Sequence, residues 1–411
     1  MSVATEITRI QEAKSDIASA IETKGVSVPS GTKIDGMAPL IEQIEYTKRD
    51  RAAENDVIFI DFDGTILYSY SAAEFAQLTE LPALVATEEN MEPEEWNWTL
   101  SEAKAYVATY GGLVIGQTCV TIDRNTHVWI NVNEEYHEPY IGLGVNGTVI
   151  INWGEGYAES TLTGTDDTTV VFVKSPYTHG GDYHITITRE GGAIYRIMGG
   201  TYDSYLCCGA TSNSAFNRIY NQCIYKVRLG YSTRVGNYAF SRCCNLESVN
   251  IRSISGGRSL FYETKVKGIV IPSGYGVSYN YMFYYSTAKF IAFSKSAVNI
   301  GTHSLSGNMR LSRVHIPADI TECKTQSFYM LWSLQSIVIP AGVTNLGTYF
   351  CSGAYSLRKI KFLGSTPPTC GANCFDNIST GCVISVPIGS LSAYTSAANY
   401  PDPNTYTYIE E

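Results

Sequence analysis

The residues with chemistry to offer are 11 cysteines, 6 histidines and 30 tyrosines in a chain of 411 residues. Ten of the cysteines lie after residue 200. They form no pair of C-x-x-C units with histidines at zinc spacing; Cys370 and Cys374 come nearest. The opening MSVATEITRIQEAKSD has no apolar export segment, so buried free thiols are expected rather than a disulfide framework. The histidines are scattered, and His179 and His184, five apart, share no face of a strand. No glycine pattern opens a helix as a phosphate cradle. No cofactor, metal or catalytic group is therefore expected.

One motif does suggest an enzyme. VIFIDFDGTIL, residues 57–67, is similar to the first motif of haloacid-dehalogenase phosphatases, an apolar strand followed by D-x-D-G-T. That resemblance would make Asp61 a nucleophile and Asp63 a general acid beside Mg²⁺. The chemistry also needs a Ser or Thr, a lysine and an acidic pair at the ends of further strands of one parallel sheet, with crossover helices. After residue 112 strand and turn signals dominate. Asp166-Asp167 reads as a turn, and Lys104 stands on a helix without the rest of its motif. Asp63-Gly64 reads as an ordinary hairpin turn between Val57–Phe62 and Thr65–Tyr68. A non-enzymatic role is expected, with the Mg²⁺-dependent phosphatase as an alternative.

Binding chemistry is better represented. Nineteen tyrosines follow residue 200, and residues 275–285 read YGVSYNYMFYY. Tyrosine offers contact area at low rotamer cost. The candidate binding residues are Tyr279, Tyr281, Tyr284, Tyr285, Tyr329, Trp332 and Tyr355, with Arg310 and Arg313 beside them. The charge is polarised. Residues 1–200 hold 12 Lys+Arg against 30 Asp+Glu, and residues 201–411 hold 17 against 9. Such asymmetry suggests halves with different partners, the basic half facing an anionic surface.

The elements that must position these groups change along the chain. Residues 1–50 read as two helices, the first with Ile7, Ile10, Ala13, Ile17, Ala20 and Ile21 on one face. Such a segment suits self-association, or packing of the first helix against the second. Residues 51–140 read as a small α+β module with strand Val57–Ile60, helix Ala72–Leu78 and a second helix capped at Thr99 or Ser101 and ended by Gly111. Residues 141–195 read as a β-sandwich, in which W-G-E-G followed by G-D-Y-H-I-T-I resembles bacterial PKD-like modules, whose implied role is a spacer. Residues 196–222 are a connector.

From 223 to 395 the chain repeats itself. Apolar pairs recur at Val227-Leu229, Val249-Ile251, Ile269-Ile271, Ile291-Phe293, Val314-Ile316, Ile337-Ile339, Ile360-Phe362 and Ile384-Val386, in steps of 20 to 24 residues. A second marker precedes the end of each later pair: Phe240, Phe261, Phe283, Leu305, Phe328, Phe350 and Phe375. One such unit cannot bury its own apolar face, so the units must stack as a solenoid. The wording, as in SLQSIVIPAGVTNLGTYF, resembles the BspA-like type of leucine-rich repeat. Departures occur: the repeat cysteine survives at Cys243 but is replaced at Thr264, Ser286, Asn308 and Leu331, and the strand proline is lost at Arg252 and Ser294. Residues 396–411 read as a tail.

The fold class expected is thus multidomain: N-terminal α-helices, a small α+β module, a PKD-like β-sandwich and a C-terminal leucine-rich-repeat solenoid. The order of these parts, and the opening ITRIQEAKSDIASAIETKGVSVPSGTKIDGMAPLIEQI, resemble prophage tail-associated proteins. The resemblance implies a virion protein of a phage tail, attached to other tail proteins through residues 1–50. It would contact a bacterial surface glycan, wall polymer or protein. A homo-oligomer is expected, a trimer among its forms, with no nucleic acid and no membrane insertion. A bacterial cell-surface adhesin is the alternative setting.

Overall fold

A computed structural model describes residues 57–135, 138–200, 203–209, 217–272, 280–295 and 300–411, together with Gln11, Lys14, Ser15, Ile17 and Ala18, which are helical. The two expected N-terminal helices otherwise lie outside the described residues. No helix among the described residues is long and apolar enough to cross a membrane.

The α+β module is built on β1 (Val57–Ile60), β2 (Ile66–Tyr70), α1 (Ala72–Gln77), β3 (Met91–Trp96), α2 (Leu100–Tyr110) and β4 (Leu113–Thr121). Both helices open in capping boxes, Ser71 with Glu74 and Thr99 with Glu102, and Gly111 ends α2 at φ 91°. The sheet order is β2-β1-β4-β3; β1 is antiparallel to β2 and parallel to β4. All of β1 is buried because both faces are covered. Val57 and Phe59 pack on Phe75, Trp98 and Tyr106 of the module. Ile58, Ile60 and Val114 pack on Val270, Phe290 and Ala292, some 200 residues further on.

The strands expected of a separate sandwich are present as β6 (Tyr140–Asn152), β7 (Ser160–Lys174), β8 (Gly181–Arg189) and β9 (Ile194–Ile197), joined by β5 (Thr126–Val132) from the stretch read as the α+β module. They do not stand apart. β5 pairs antiparallel with β10 (Ile224–Arg228), and β9 pairs parallel with Thr233–Val235, both in the first coil. Trp153, Ile187, Phe240 and Ile360 belong to one continuous core. An uncapped solenoid exposes an open edge and an apolar interior at its end; these strands cover both. Asp166 and Asp167 are not in a hairpin turn but at a bulge of β7, where the register with β6 slips between Gly144 and Val145. There Asp167 binds Arg196 at 2.9 Å and Arg234 at 3.0 Å, tying cap to coil.

The repeat pairs are rungs of a parallel wall. Val227 lies opposite Val249, Ile269 opposite Ile291, and Ile337, Ile360 and Ile384 in succession. Val314 and Ile316 are buried at the equivalent positions, although that stretch is not a strand. Residues 396–411 are not a tail. Thr407–Glu410 pairs parallel with Val383–Val386 as one more rung, while Tyr394 and Tyr400 close the end over Phe362.

The acidic module docks on this basic wall. Glu88 binds Arg228 and Lys226, Glu94 binds Arg252, and Glu102 binds Lys295. Part of the charge asymmetry is therefore complementarity within one chain. Arg252, which stands where a strand proline is lost, is one of the docking residues. Asn97 donates to the carbonyls of Ile271 (3.0 Å) and Ala292 (2.9 Å), Trp98 to that of Phe293 (2.8 Å), and Tyr106 to that of Ile316 (3.0 Å).

Candidate recognition surface

Each coil bends at its second marker, and the bend sets what the coil displays. Three backbone N–H groups per bend reach the next coil. In one coil Tyr281 donates to Thr302, Phe283 to Ser304 and Tyr285 to Ser306, at 2.8–2.9 Å. The same spacing recurs at Tyr238, Phe240 and Arg242 and at His303, Leu305 and Gly307. Aiming alternate N–H groups along one axis through a bend puts the outer two residues in the left-handed region. Tyr238, Ser259, Tyr281, His303, Gln326, Tyr349 and Asn373 have φ of 50–60° before the central residue. Arg242, Glu263, Tyr285, Gly307, Met330, Gly353 and Asn377 have φ of 54–78° after it.

This ladder corrects one repeat. Phe328 donates to Phe350, and the central position of the next coil is Cys351, which donates to Cys374 at 3.0 Å. Phe350 is shifted by one residue and still packs between Phe328 and Phe375. The other central residues are buried as expected, with Phe240, Phe261 and Phe283 stacked at 5.7 and 5.4 Å.

The left-handed residues and their neighbours carry the rings. Tyr281 stacks on His303 at 4.7 Å, Tyr262 on Tyr284 at 5.4 Å, and Tyr284 meets Tyr285 edge-on at 4.5 Å. The Arg242 guanidinium lies 5.7 Å from the Tyr262 ring centroid. Burial, with Tyr285 close by, pushes the Tyr284 phenol up to about 12. Tyr285 is 44% exposed. Its ring lies where a Cβ on Gly307 would strike it, at 2.5 Å. Two residues further along each bend, Met309, Trp332 and Tyr355 form a second exposed row, with Trp332 and Tyr355 6.3 Å apart.

Of the candidate residues, the structure brings Tyr281, Tyr284 and Tyr285 into one cluster, sets Tyr329 against Tyr349 at 6.0 Å, and pairs Trp332 with Tyr355. Tyr279 lies outside the described residues. The two arginines do not continue one strip. Arg310 lines a notch with Lys267 and Lys289, whereas Arg313 lines a groove between the end of α2 and the strand wall, with Lys359 and Lys361. Tyr262, His303, Tyr349 and Arg242 belong to the surface and were not among the candidates. Their offset of one or two residues from the central position is the signal that finds them.

The aspartates of the enzyme-like motif do not form a common site. Asp61 is buried, and its carboxylate accepts from Thr87, Gln117 (2.9 Å), the Phe62 N–H (2.7 Å) and the Cys119 thiol (3.4 Å). Burial raises its pKa. Asp63 accepts from the Thr65 N–H at 2.8 Å, closing the hairpin turn. Across β5 and β8, His127 Nδ1 and His184 Nε2 lie 3.0 Å apart and Asp123 binds His127 Nε2, a pairing that sequence spacing hid. Among the described residues no group of three or more His, Cys, Asp or Glu is placed to hold a metal. None of the 11 cysteines forms a disulfide, and ten of them are buried.

Comparison with known families decides what the coils are. Residues 210–329 and 255–382 match the model described as BspA type leucine rich repeat region, in 6 copies. Over residues 210–382 the chain is thus similar to BspA-type leucine-rich repeats. No curated protein matches the chain. BspA-type repeats are typically associated with surfaces and adhesion. Within this region, Cys243 and its replacements Thr264, Ser286, Asn308 and Leu331 are all buried. The positions tolerate polar atoms because each finds a partner, as Thr264 donates to the Phe261 carbonyl at 3.1 Å.

Proposed function

We propose that this protein is a non-enzymatic recognition protein whose BspA-type solenoid binds a bacterial cell surface through the ring-bearing bends. One observation carries the reading. Of the fourteen left-handed bend positions, two are glycine and two asparagine; the other ten hold residues that this conformation disfavours, four of them tyrosines and one a histidine. Each costs roughly 1 kcal/mol relative to glycine. The ladder alone would be served more cheaply by glycine. Side chains kept at that cost, stacked and partly exposed, serve as a rigid contact surface, in which little rotamer entropy is left to lose on binding.

The setting we favour is a phage or prophage tail, on the resemblance of the opening segment and of the domain order. A bacterial cell-surface adhesin would use the same surface. The test is saturable binding of the labelled full chain to intact bacteria, competed by extracted surface glycan or wall polymer. Saturable, competable binding is expected; absence of saturable binding to a broad panel of cells contradicts the reading.

A further inference from the structure

We infer that the notch between the module's hairpin and the solenoid is a binding site for phosphate groups carried on a surface polymer. The notch has a volume of about 350 Å³. Thr65 at the hairpin tip and Thr287, Lys267, Lys289 and Arg310 from three successive coils line it, over the buried ring of Phe290. Most cations of this half are already neutralised, including Arg228, Arg242, Arg252, Lys295 and Lys324, each by an acid within the chain. Lys289 and Arg310, both exposed, have no ion pair among the described residues, and both turn up in the same concavity.

One carboxylate, Asp63, also lines the notch, with one oxygen accepting from the Thr65 N–H at 2.8 Å, and Glu247 holds Lys267 at 2.6 Å; the three cations outnumber the lining acid. Two cations without an ion pair among the described residues, one of them (Lys289) 5.2 Å from the Phe290 ring centroid, a third shared one and two hydroxyls suit a compact multi-oxygen anion. On the same stretch the half-buried Tyr284 and the exposed Tyr285 lie two to five residues from Thr287 and Lys289, so a phosphorylated polyol or glycan can meet rings and cations together. This site rests on the surface-recognition reading and gives its ligand a chemical class.

The test is titration of the full chain with a glycerol-phosphate oligomer and with inorganic phosphate, beside polyglutamate as an anion without phosphate. Oligomer binding should weaken with added salt, fall at least ~10-fold in K289Q/R310Q at unchanged melting temperature, and tighten in E247Q, which releases Lys267. Equal binding by K289Q/R310Q, or equal affinity for polyglutamate, overturns the site. If the native chain binds cells while K289Q/R310Q binds the oligomer as well as the native chain does, the site falls and surface recognition stands. If the oligomer binds and is lost in the variant while no cells are bound, surface recognition falls and the site stands.

Discussion

Tyr281 and His303 lie one coil apart, both with left-handed backbones (φ 56° and 55°), and their rings are parallel to within 11°. Neither ring could hold that stack if the bends were free to turn, because a ring's direction follows its backbone. The N–H ladder that fixes both residues therefore also orients the contact surface. Rigidity here comes from the coil-to-coil hydrogen bonds, and the side chains are what that scaffold presents.

Strain at the bends is measurable. Tyr349, 37% exposed at φ 55°, should be replaced by glycine at less cost than by alanine, with the glycine variant the more stable by about 1 kcal/mol. Chemical denaturation of Tyr349→Gly and Tyr349→Ala checks this. Equal stabilities would show that the bend stores no strain there.

The docking seam depends on Asn97, 3% exposed, which also accepts from the Gly116 N–H at 2.9 Å. Asn97→Ala strands the Ile271 carbonyl and the Gly116 N–H and leaves the Ala292 carbonyl with the Ile271 N–H alone (2.9 Å), and should cost about 2–4 kcal/mol. Limited proteolysis should then cut between module and solenoid before either is degraded. The seam also needs Gly64 and Gly268, since a Cβ on Gly64 would lie 2.8 Å from the Gly268 Cα.

Acid should loosen the same seam through His315. Burial between Trp98, Tyr106 and Phe293 pushes its pKa down to about 4 from an ordinary value of 6.5. Below pH 6.5 the unfolded chain takes up a proton that the folded chain refuses, so stability falls as pH drops and levels off near pH 4. Between pH 7 and pH 5 this amounts to about 2 kcal/mol. His315→Phe should flatten the melting-temperature profile over that range; an unchanged slope would assign the acid sensitivity elsewhere.

The buried and fully bonded Asp61 makes the phosphatase alternative testable in one assay. Hydrolysis of an aryl phosphate by the native chain should show no dependence on Mg²⁺ and no difference from Asp61→Asn. Mg²⁺-dependent turnover that disappears in the variant would restore that alternative.

What the sequence made legible follows from periodicity. Alternating apolar pairs such as Ile337-Ile339 and Ile360-Phe362 locate the rungs, because each must point two side chains inward from a short strand. The bends were harder to read. Only two of their fourteen left-handed residues are the glycine that marks such backbones, while four are tyrosines, and Cys351 occupies the position that the repeat pattern assigns to the neighbouring Phe350. Docking left only a faint mark: the covered strands read GIVI and FIAF, the uncovered one KIKF, since outward positions under the module must be apolar. The partners Asn97 and Ile271 are 174 residues apart, a separation that no local pattern reports. The last rung, Thr407–Glu410, has neither a proline nor a central aromatic to announce it.

The central claim, that outward rings on a rigid solenoid make the contact, is tested most directly by the affinity of the full chain for intact bacteria. Tyr281→Ser/Tyr285→Ser/Trp332→Ser should be compared with the native chain under conditions where both melt within a few degrees of each other. The account predicts binding weakened at least ~10-fold. Undiminished affinity in that variant would contradict it.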